Sequence, residues 1–298
     1  MSPVAFLFFN RPEAVRQSFP AIRAYKPKQL LLVSDGPRAN HPTDAENCNA
    51  CRQIIEEMID WECEVYRNYS PENLGCRERV SSGIDWVFEN VEEAIIVEDD
   101  CVPSASFFTF CEELLTKYRD NPSVMMISGF NCLQRPQNRY SFYTARTGII
   151  WGWATWRSRW RLYDVSMKDW PEMRDNNQLS KYIDHPLILE YWNERFDRVY
   201  NKLIDTWDYQ WIYTIFKHQG VCCYPNVNLV QNVGFGAAAT HTLDPKNYLS
   251  RIKPGQIKRP VTFPPTVSPQ RGVDFRIFRS FFRPSLLTRI YRKIMRLF

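Results

Sequence analysis

Ala94-Ile95-Ile96-Val97-Glu98-Asp99-Asp100 joins an apolar run to three consecutive carboxylates. A short uninterrupted apolar run predicts a strand that is buried on both faces. The residues Glu98, Asp99 and Asp100, here called the acidic triplet, cannot all be packed inside, because burying unpaired charge is costly. Their carboxylates must therefore point into solvent or share a cation.

Two interpretations of the acidic triplet stay open on the residues alone. Hard divalent cations such as Mg²⁺ and Mn²⁺ prefer oxygen ligands and usually keep waters or substrate phosphates in their shell. One or two carboxylates at a strand end would thus make a site for a metal-bound diphosphate. Alternatively, the triplet is the acidic start of the next helix, where the helix dipole favours carboxylates.

The residues on either side of the acidic triplet alternate between short apolar runs and helical spacing up to residue 128. The predicted strands are Val4–Phe9, Leu30–Val33, Glu62–Arg67, Ala94–Val97 and Val124–Ser128. The predicted helices between them are Glu13–Tyr25, Cys51–Trp61, Arg77–Asn90 and Phe107–Tyr118. This alternation predicts an α/β fold with a mostly parallel sheet flanked by helices. Ligands gather at the carboxyl ends of such strands, where Asn10, Arg11, Asp35 and the acidic triplet all lie.

Composition narrows the class of protein without fixing it. The 298 residues suit one large domain or two small ones, and 44% apolar with 24% charged residues is ordinary for a globular protein. A net charge of +5 allows an anionic ligand but does not indicate nucleic-acid binding. The nine cysteines include one Cys-x-x-Cys without a second pair, which favours reduced thiols over a zinc site. We expect no signal peptide and no transmembrane helix.

The segment from Ala94 to Phe108 resembles the metal-binding segment of the N-acetylglucosaminyltransferase I family, a variant of the DxD motif within the GT-A superfamily. Further stretches resemble elements of that family in the same order: Asn10–Val15, Leu32–Asp35, Arg146–Gly148, Gly152-Trp153 and Trp207-Asp208. The Asn-Arg-Pro start and the Gly-Phe-Gly…Thr-His segment point to a bacterial-type branch of nucleotide-diphospho-sugar transferases. The resemblance implies a mixed, Rossmann-like GT-A fold.

The same resemblance implies an activity and its ligands. We expect a glycosyltransferase, hexosyl- or N-acetylhexosaminyl-, that moves a sugar from a nucleotide-sugar to a saccharide or glycolipid. The expected donor is a UDP-sugar, the expected cofactor is Mn²⁺ or Mg²⁺, and polysaccharide biosynthesis is the expected process. No nucleic-acid partner is expected.

Carried over to this sequence, the resemblance makes Asp100 the direct metal ligand, with Glu98 and Asp99 on the ribose and diphosphate side. His241 is a further candidate for contact with the metal or the diphosphate. Its alternative is an ordinary solvated loop histidine.

Four residues would hold the donor. The resemblance places Asn10, Arg11 and Asp35 at the nucleoside, with Asp35 near the base ring. Arg77 follows the turn at Asn73–Gly75 and would reach the phosphates. Its alternative is a solvated start of the helix.

The resemblance at Trp207-Asp208 makes Asp208 the candidate general base. Direct transfer with inversion needs one carboxylate to take the proton of the attacking hydroxyl. The alternative is a helix N-cap, a position that aspartate favours. Trp153 is the candidate acceptor contact because it matches the family's Gly-Trp. Its alternative is core packing, which is the default for tryptophan.

The predicted organisation is a GT-A domain at 1–270, with a nucleotide-sugar-binding half at 1–130 and an acceptor-binding half at 131–270. A basic amphipathic tail follows at 271–298. Basic amphipathic helices bind anionic membrane surfaces, so we expect a cytoplasmic protein with a peripheral contact at the inner face of the membrane. The alternative is a helix that packs on the domain or on another subunit.

Two other functions compete with sugar transfer. A sugar nucleotidyltransferase usually opens with a glycine-rich phosphate loop, and the segment Phe8–Pro12 has no glycine. A non-catalytic nucleotide-sugar-binding protein would tolerate the loss of its carboxylates, yet Asp99, Asp100 and Asp208 are all present. A donor-hydrolysis assay with and without Mn²⁺ separates the three.

Overall fold

The computed structural model describes residues 1–234 and 248–282, which form ten strands. These are β1 (Val4–Phe8), β2 (Gln29–Ser34), β3 (Glu64–Tyr69), β4 (Glu93–Glu98), β5 (Cys101–Pro103), β6 (Val124–Ser128), β7 (Phe142–Ala145), β8 (Trp153–Trp156), β9 (Val221–Pro225) and β10 (Val230–Asn232). Eight of them form one sheet in the order β3-β2-β1-β4-β8-β6-β9-β7, and β5 pairs with β10 in a separate antiparallel ribbon. Only β8 and β7 run antiparallel to their neighbours in the large sheet.

Helices pack on the sheet. In chain order they are α1 (Pro12–Tyr25), α2 (Asp44–Met58), α3 (Gly75–Asn90), α4 (Ala105–Tyr118), α5 (Arg157–Trp160), α6 (Trp170–Asp175), α7 (Pro186–Tyr200), α8 (Asp208–Lys217) and α9 (Val273–Ile277). Two 3₁₀ turns at Gln178–Lys181 and Tyr248–Arg251 and a π-helical turn at Phe278–Phe282 complete the described elements. The predicted fold class, a mixed and mostly parallel sheet flanked by helices, is confirmed.

The two faces of the sheet carry two hydrophobic clusters, and successive residues of β1 alternate between them. Phe6 belongs to the cluster covered by α1, α2 and α4, whereas Ala5 and Leu7 belong to the cluster covered by α3 and α8. Because both faces are covered, the central strands are apolar throughout, as the sequence indicated. Each cluster also contains residues from beyond position 200, so the two predicted halves share one core. The division at residue 130 stays a prediction.

A third hydrophobic cluster lies among α6, α7 and α8. It is rich in aromatic rings, among them Trp170, Trp192 and Phe196, which are fully buried. Phe278, from the predicted tail, is buried in it. The described part of that tail therefore packs on the domain, and residues 283–298 lie outside the described residues. Within the described residues, no helix is long and apolar enough to cross a bilayer.

The direction of β8 decides which residues reach the ligand-binding edge of the sheet. β8 lies antiparallel between β4 and β6, so its first residue, Trp153, pairs with Ile96 and Ser128 near the ends of those strands. Its last residue, Trp156, pairs with Glu93 at the other edge. Residues 148–151 therefore arrive at the edge that carries the acidic triplet. The sequence pattern did not predict β5, β7 or β8.

Candidate active site

The carboxyl ends of β1, β2 and β4 open into one cleft with a volume of about 850 Å³. Two walls face this cleft. The strand-end wall consists of lining residues within 7–11, 33–47 and 98–100, and the helix wall consists of lining residues within 148–151, 204–212 and 281–282. The following predicted site residues line the cleft: Asn10, Arg11, Asp35, Glu98, Asp99, Asp100 and Asp208. The structure thus brings together residues that lie up to about two hundred positions apart, and their individual roles stay predictions.

Arg11 bridges two carboxylates of the acidic triplet. Its guanidinium donates to Asp99, and Nη1 donates to Asp100 Oδ2 at 3.1 Å. The backbone N–H of Phe9 donates to Asp99 Oδ2 at 3.1 Å. Burial raises the pKa of Asp99 to about 6, although the charge of Arg11 acts in the opposite direction. Burial alone would lower the pKa of Arg11, but the charges of Asp99 and Asp100 raise it, so Arg11 stays a fixed cation.

Asp100 is held by the ribbon of β5 and β10. Its carbonyl accepts from the N–H of Val233 at 2.8 Å, and its Oδ1 accepts from Asn232 Nδ2 at 3.3 Å. A Cβ at Gly234 would lie 2.2 Å from Asp100 Oδ2, so a larger residue there would displace the carboxylate. The ribbon therefore fixes where the Asp100 carboxylate enters the cleft.

Glu98 contributes an unsatisfied oxygen. Its Oε1 is buried and has no hydrogen-bond partner among the described residues. Burial, followed by the charges of Asp100 and Asp99, raises the pKa of Glu98. A buried acceptor without a partner is unfavourable, which a bound cation would relieve.

The donor set suits a hard cation. Glu98 and Asp100 offer only oxygen, which Mg²⁺ and Mn²⁺ prefer. No group of three or more His, Cys, Asp or Glu side chains able to hold a metal occurs within residues 1–234 and 248–282. Water or substrate phosphate would therefore complete the shell. His241 lies outside the described residues.

Asp35 organises the start of α3. Its carboxylate accepts from the N–H groups of Gly36 at 2.9 Å, Leu74 at 3.0 Å and Gly75 at 3.1 Å, and from Asn73 Nδ2 at 2.9 Å. Burial raises the pKa of Asp35, although these backbone donors act to lower it. Asp35 thus ties β2 to the turn before α3 while it lines the cleft. Its contact with a nucleoside stays a prediction.

Asn10 belongs to a polar cluster that the sequence analysis missed in part. Asn10 Nδ2 donates to Asp44 at 2.7 Å, and Arg38 Nε donates to the same carboxylate at 2.6 Å. The Arg38 guanidinium also lies over the Phe9 ring, 5.5 Å from its centroid. Hydrogen bonding to Arg38 lowers the pKa of Asp44 well below its usual range. The sequence contained one signal for this cluster. Arg38 comes three residues after Asp35, which directly follows β2.

Arg77 and Trp153 are not in the cleft, which corrects their predicted contacts. Arg77 Nη2 donates to the carbonyl of Val165 at 2.8 Å, so this guanidinium binds a backbone carbonyl of the protein and not the cleft. Trp153 is fully buried and stacks on Trp207 at 5.8 Å between ring centroids, because β8 is covered on both faces. The alternative of core packing therefore describes Trp153. Trp151, two residues earlier and outside the strand, lines the cleft instead.

Asp208 lies on the helix wall as the first residue of α8. The N-cap is Trp207, so the alternative in which Asp208 is the cap does not hold. Thr206 Oγ1 donates to the Asp208 carboxylate. The charge of Asp208 also contributes to the raised pKa of Glu98, so these carboxylates interact within one cleft.

Among residues 1–234 and 248–282, the charged side chains that line the cleft are mostly acidic. Its lining carboxylates are Asp35, Asp44, Glu98, Asp99, Asp100, Asp205 and Asp208, and its lining guanidinium groups are Arg11, Arg38 and Arg79. Arg79 is engaged with the carbonyl of Ser34 at 3.2 Å. The lining carboxylates would repel an anionic ligand, and a divalent cation at the acidic triplet would offset that repulsion.

The sequence matches no family model and no curated protein. Among the solved structures that are loosely similar are two glycosyltransferase structures. GalNAc-T7 with UDP, GalNAc and Mn²⁺ is 9% identical with a TM-score of 0.46, over 76% of this chain and 42% of that chain. The galactosyltransferase LgtC in complex with donor and acceptor sugar analogues is 12% identical with a TM-score of 0.39, over 74% of this chain and 72% of that chain.

This chain thus spans less than half the length of the GalNAc-T7 chain. The resemblance to N-acetylglucosaminyltransferase I stays a prediction.

Proposed function

We propose that this chain is a metal-dependent glycosyltransferase of the GT-A type. It would transfer a sugar from a nucleotide-sugar, with UDP as the expected nucleotide, to a hydroxyl of a saccharide or glycolipid. One observation carries the proposal: the acidic triplet at the strand ends shares a cleft with a separate carboxylate, Asp208. A candidate cation site and a candidate base thus line the same cleft.

The strand-end wall would bind the donor. A volume of about 850 Å³ lies in the range of small-molecule sites and accommodates a nucleotide-sugar. Phe9 and Arg38 offer a ring and a guanidinium at one end, and Asn10 offers a side-chain amide. Asp100 would hold the cation, which offsets the charge that develops on the departing diphosphate. Glu98, which the resemblance assigned to the ribose and diphosphate side, would instead be a second ligand, because its buried Oε1 has no partner among the described residues. Arg11, fixed beside Asp100, adds a second positive charge there.

Asp208 would act as the general base. The acceptor hydroxyl attacks the anomeric carbon of the donor, its proton passes to the Asp208 carboxylate, and the bond from that carbon to the diphosphate oxygen breaks. One displacement of this kind inverts the anomeric configuration. The Thr206 hydroxyl, which donates to Asp208, would orient the carboxylate.

Release of UDP from a panel of UDP-sugars, with and without Mn²⁺ or Mg²⁺, tests the proposal. We expect slow metal-dependent release that accelerates with a saccharide acceptor. Asp100→Asn should lower that rate by about 10²-fold or more, since a metal contributes several kcal/mol. Asp184→Asn, which alters an exposed carboxylate, is the matched control.

Three results of that assay contradict the proposal. Formation of a nucleoside triphosphate from a UDP-sugar and pyrophosphate would show a nucleotidyltransferase. Saturable binding of UDP-sugar without any turnover would show a binding protein. Full activity in the presence of a chelator would show that the reaction does not need a metal. A hexosyl or N-acetylhexosaminyl donor, a role in polysaccharide biosynthesis and a cytoplasmic location stay predictions. The membrane contact predicted for residues 271–298 stays a prediction only for residues 283–298, because the described part of that tail packs on the domain.

A further inference from the structure

The donor contacts proposed for the strand-end wall do not use three aromatic side chains of the helix wall. Trp151, Phe281 and Phe282 line the cleft and are only partly buried. The Phe281 ring lies 4.9 Å from Trp151, and the two phenylalanine rings lie 4.8 Å apart, each pair at an interplanar angle of 68°. These rings thus form an apolar surface in a cleft whose other wall is charged.

Contacts on the far side of the rings hold this surface in place. Phe282 packs edge-on against Trp192 of α7 at 5.0 Å, and Phe281 packs against Phe130 at 6.1 Å. Both phenylalanines belong to the π-helical turn Phe278–Phe282, whose first residue is buried in the third hydrophobic cluster. π-Helical turns are rare and occur frequently at functional sites. Residues 130 positions apart therefore converge on one rigid aromatic surface.

We propose that Trp151, Phe281 and Phe282 form the acceptor subsite, and that the acceptor is a neutral saccharide or glycoside. This inference rests on the proposed function. The C–H-rich face of a pyranose ring is apolar and would lie on the aromatic rings, while a hydroxyl at its edge reaches the Asp208 carboxylate.

The charge of the helix wall favours neutral saccharides over anionic ones as acceptors. Asp205 and Asp208 both line the cleft on this side. Two carboxylates on this wall would repel a uronic acid or a sugar phosphate, because like charges brought together are unfavourable. A neutral ring meets no such repulsion.

Kinetics with p-nitrophenyl glycosides as acceptors test the inference. Phe281→Ala and Phe282→Ala should each raise the acceptor KM for p-nitrophenyl glucoside about three- to tenfold, the ratio that the loss of one aromatic contact gives. The Kd for the UDP-sugar should change by a smaller factor than the acceptor KM in both variants, because the proposed donor contacts lie on the other wall. Phe281→Leu keeps apolar volume but removes the aromatic plane, and it should raise KM as well, which covers the case that the alanine variants do not fold.

Phe275→Ala is the matched control. Phe275 lies in the same C-terminal segment but stacks on His185 at 4.3 Å, away from the cleft. Its replacement should leave the acceptor KM unchanged, whereas Phe281→Tyr, which keeps the ring, should restore it close to the wild-type value. We also expect p-nitrophenyl glucuronide to be a poor acceptor beside p-nitrophenyl glucoside.

Two outcomes separate this inference from the proposed function. If the wild-type protein releases no UDP from any UDP-sugar, with or without a saccharide acceptor, the proposed function fails and the subsite fails with it. If the wild-type protein does release UDP but the Phe281 and Phe282 variants keep the wild-type acceptor KM, only the subsite is overturned. Equal use of glucuronide and glucoside overturns the preference for neutral acceptors.

Discussion

The two walls of the cleft are stabilised in different ways. On the strand-end wall, charged groups hold one another: Arg11 bridges Asp99 and Asp100, and Arg38 binds Asp44. On the helix wall, rings pack on rings, as Phe282 does on Trp192. Ion pairs and hydrogen bonds are directional and hold individual polar atoms in place, whereas ring packing provides a shaped apolar surface. The first wall suits an anionic ligand with a cation, and the second suits a neutral one.

Removing the charge of Asp208 should have the largest effect, because it takes the only proposed base from the helix wall. We expect Asp208→Asn to lower kcat for sugar transfer by about 10²- to 10⁴-fold, the usual contribution of a general base. The Kd for UDP-sugar, measured by calorimetry, should be unchanged, since donor binding belongs to the other wall. Retained turnover in Asp208→Asn would remove the residue from this role.

Alanine variants of Trp151 and Trp153 test which of the two tryptophans belongs to the helix wall and which to the hydrophobic core. Trp153→Ala should lower the free energy of unfolding by about 3–5 kcal/mol, since it empties a fully buried ring position. Trp151→Ala should cost less stability and should instead raise the acceptor KM. Urea denaturation and acceptor kinetics on both variants provide the comparison. Equal stability losses with unchanged KM would place Trp151 in the core as well.

A smaller effect is expected from the strand-end wall at low pH. Arg38 lowers the pKa of Asp44 below the ordinary value of 3.8, so below that pH the unfolded chain binds a proton that the folded chain does not. The stability from this group is complete above about pH 4 and is lost as the pH falls. Asp44→Asn should cost about 1 kcal/mol at pH 7, because Arg38 is partly exposed to solvent.

Urea denaturation of the wild type and Asp44→Asn across pH 3 to 7 measures that difference, which should shrink towards pH 3. Asp60→Asn removes the exposed pair with Arg23 and should change stability less. A difference that grows as the pH falls would contradict the assignment.

The strand-end wall could be predicted from the sequence because its signals are local. A buried parallel strand is visible as an apolar run, and the polar residues that follow it must lie at the same edge of the sheet. Asn10, Arg11, Asp35 and the acidic triplet were found in this way. Arg38 and Asp44 were missed, because they become part of the wall only through contacts with Phe9 and Asn10.

The helix wall could not be predicted in the same way. Trp151 and Trp153 look alike in sequence, and only the pairing of β8 between β4 and β6 buries one and leaves the other at the cleft. Phe281 and Phe282 lie in a segment whose alternating basic and apolar residues predicted a membrane contact. Their approach to Trp151 depends on long-range packing that no local pattern contains.

The reversed direction of β8 also determines which loops can change the cleft. The loop before β8 reaches the cleft, and the segment after β8 does not. Residues 146–152, between β7 and β8, enter β8 at the edge of the sheet that carries the cleft, whereas Arg157 leaves it at the opposite edge. A loop grafted between β7 and β8 would change what the cleft accepts, while the pairing of Ala154 with Ile95 and Ile127 keeps the sheet in register. A graft after Trp156 would leave the chemistry untouched. New acceptor specificities should therefore be sought in the loop that precedes the reversed strand.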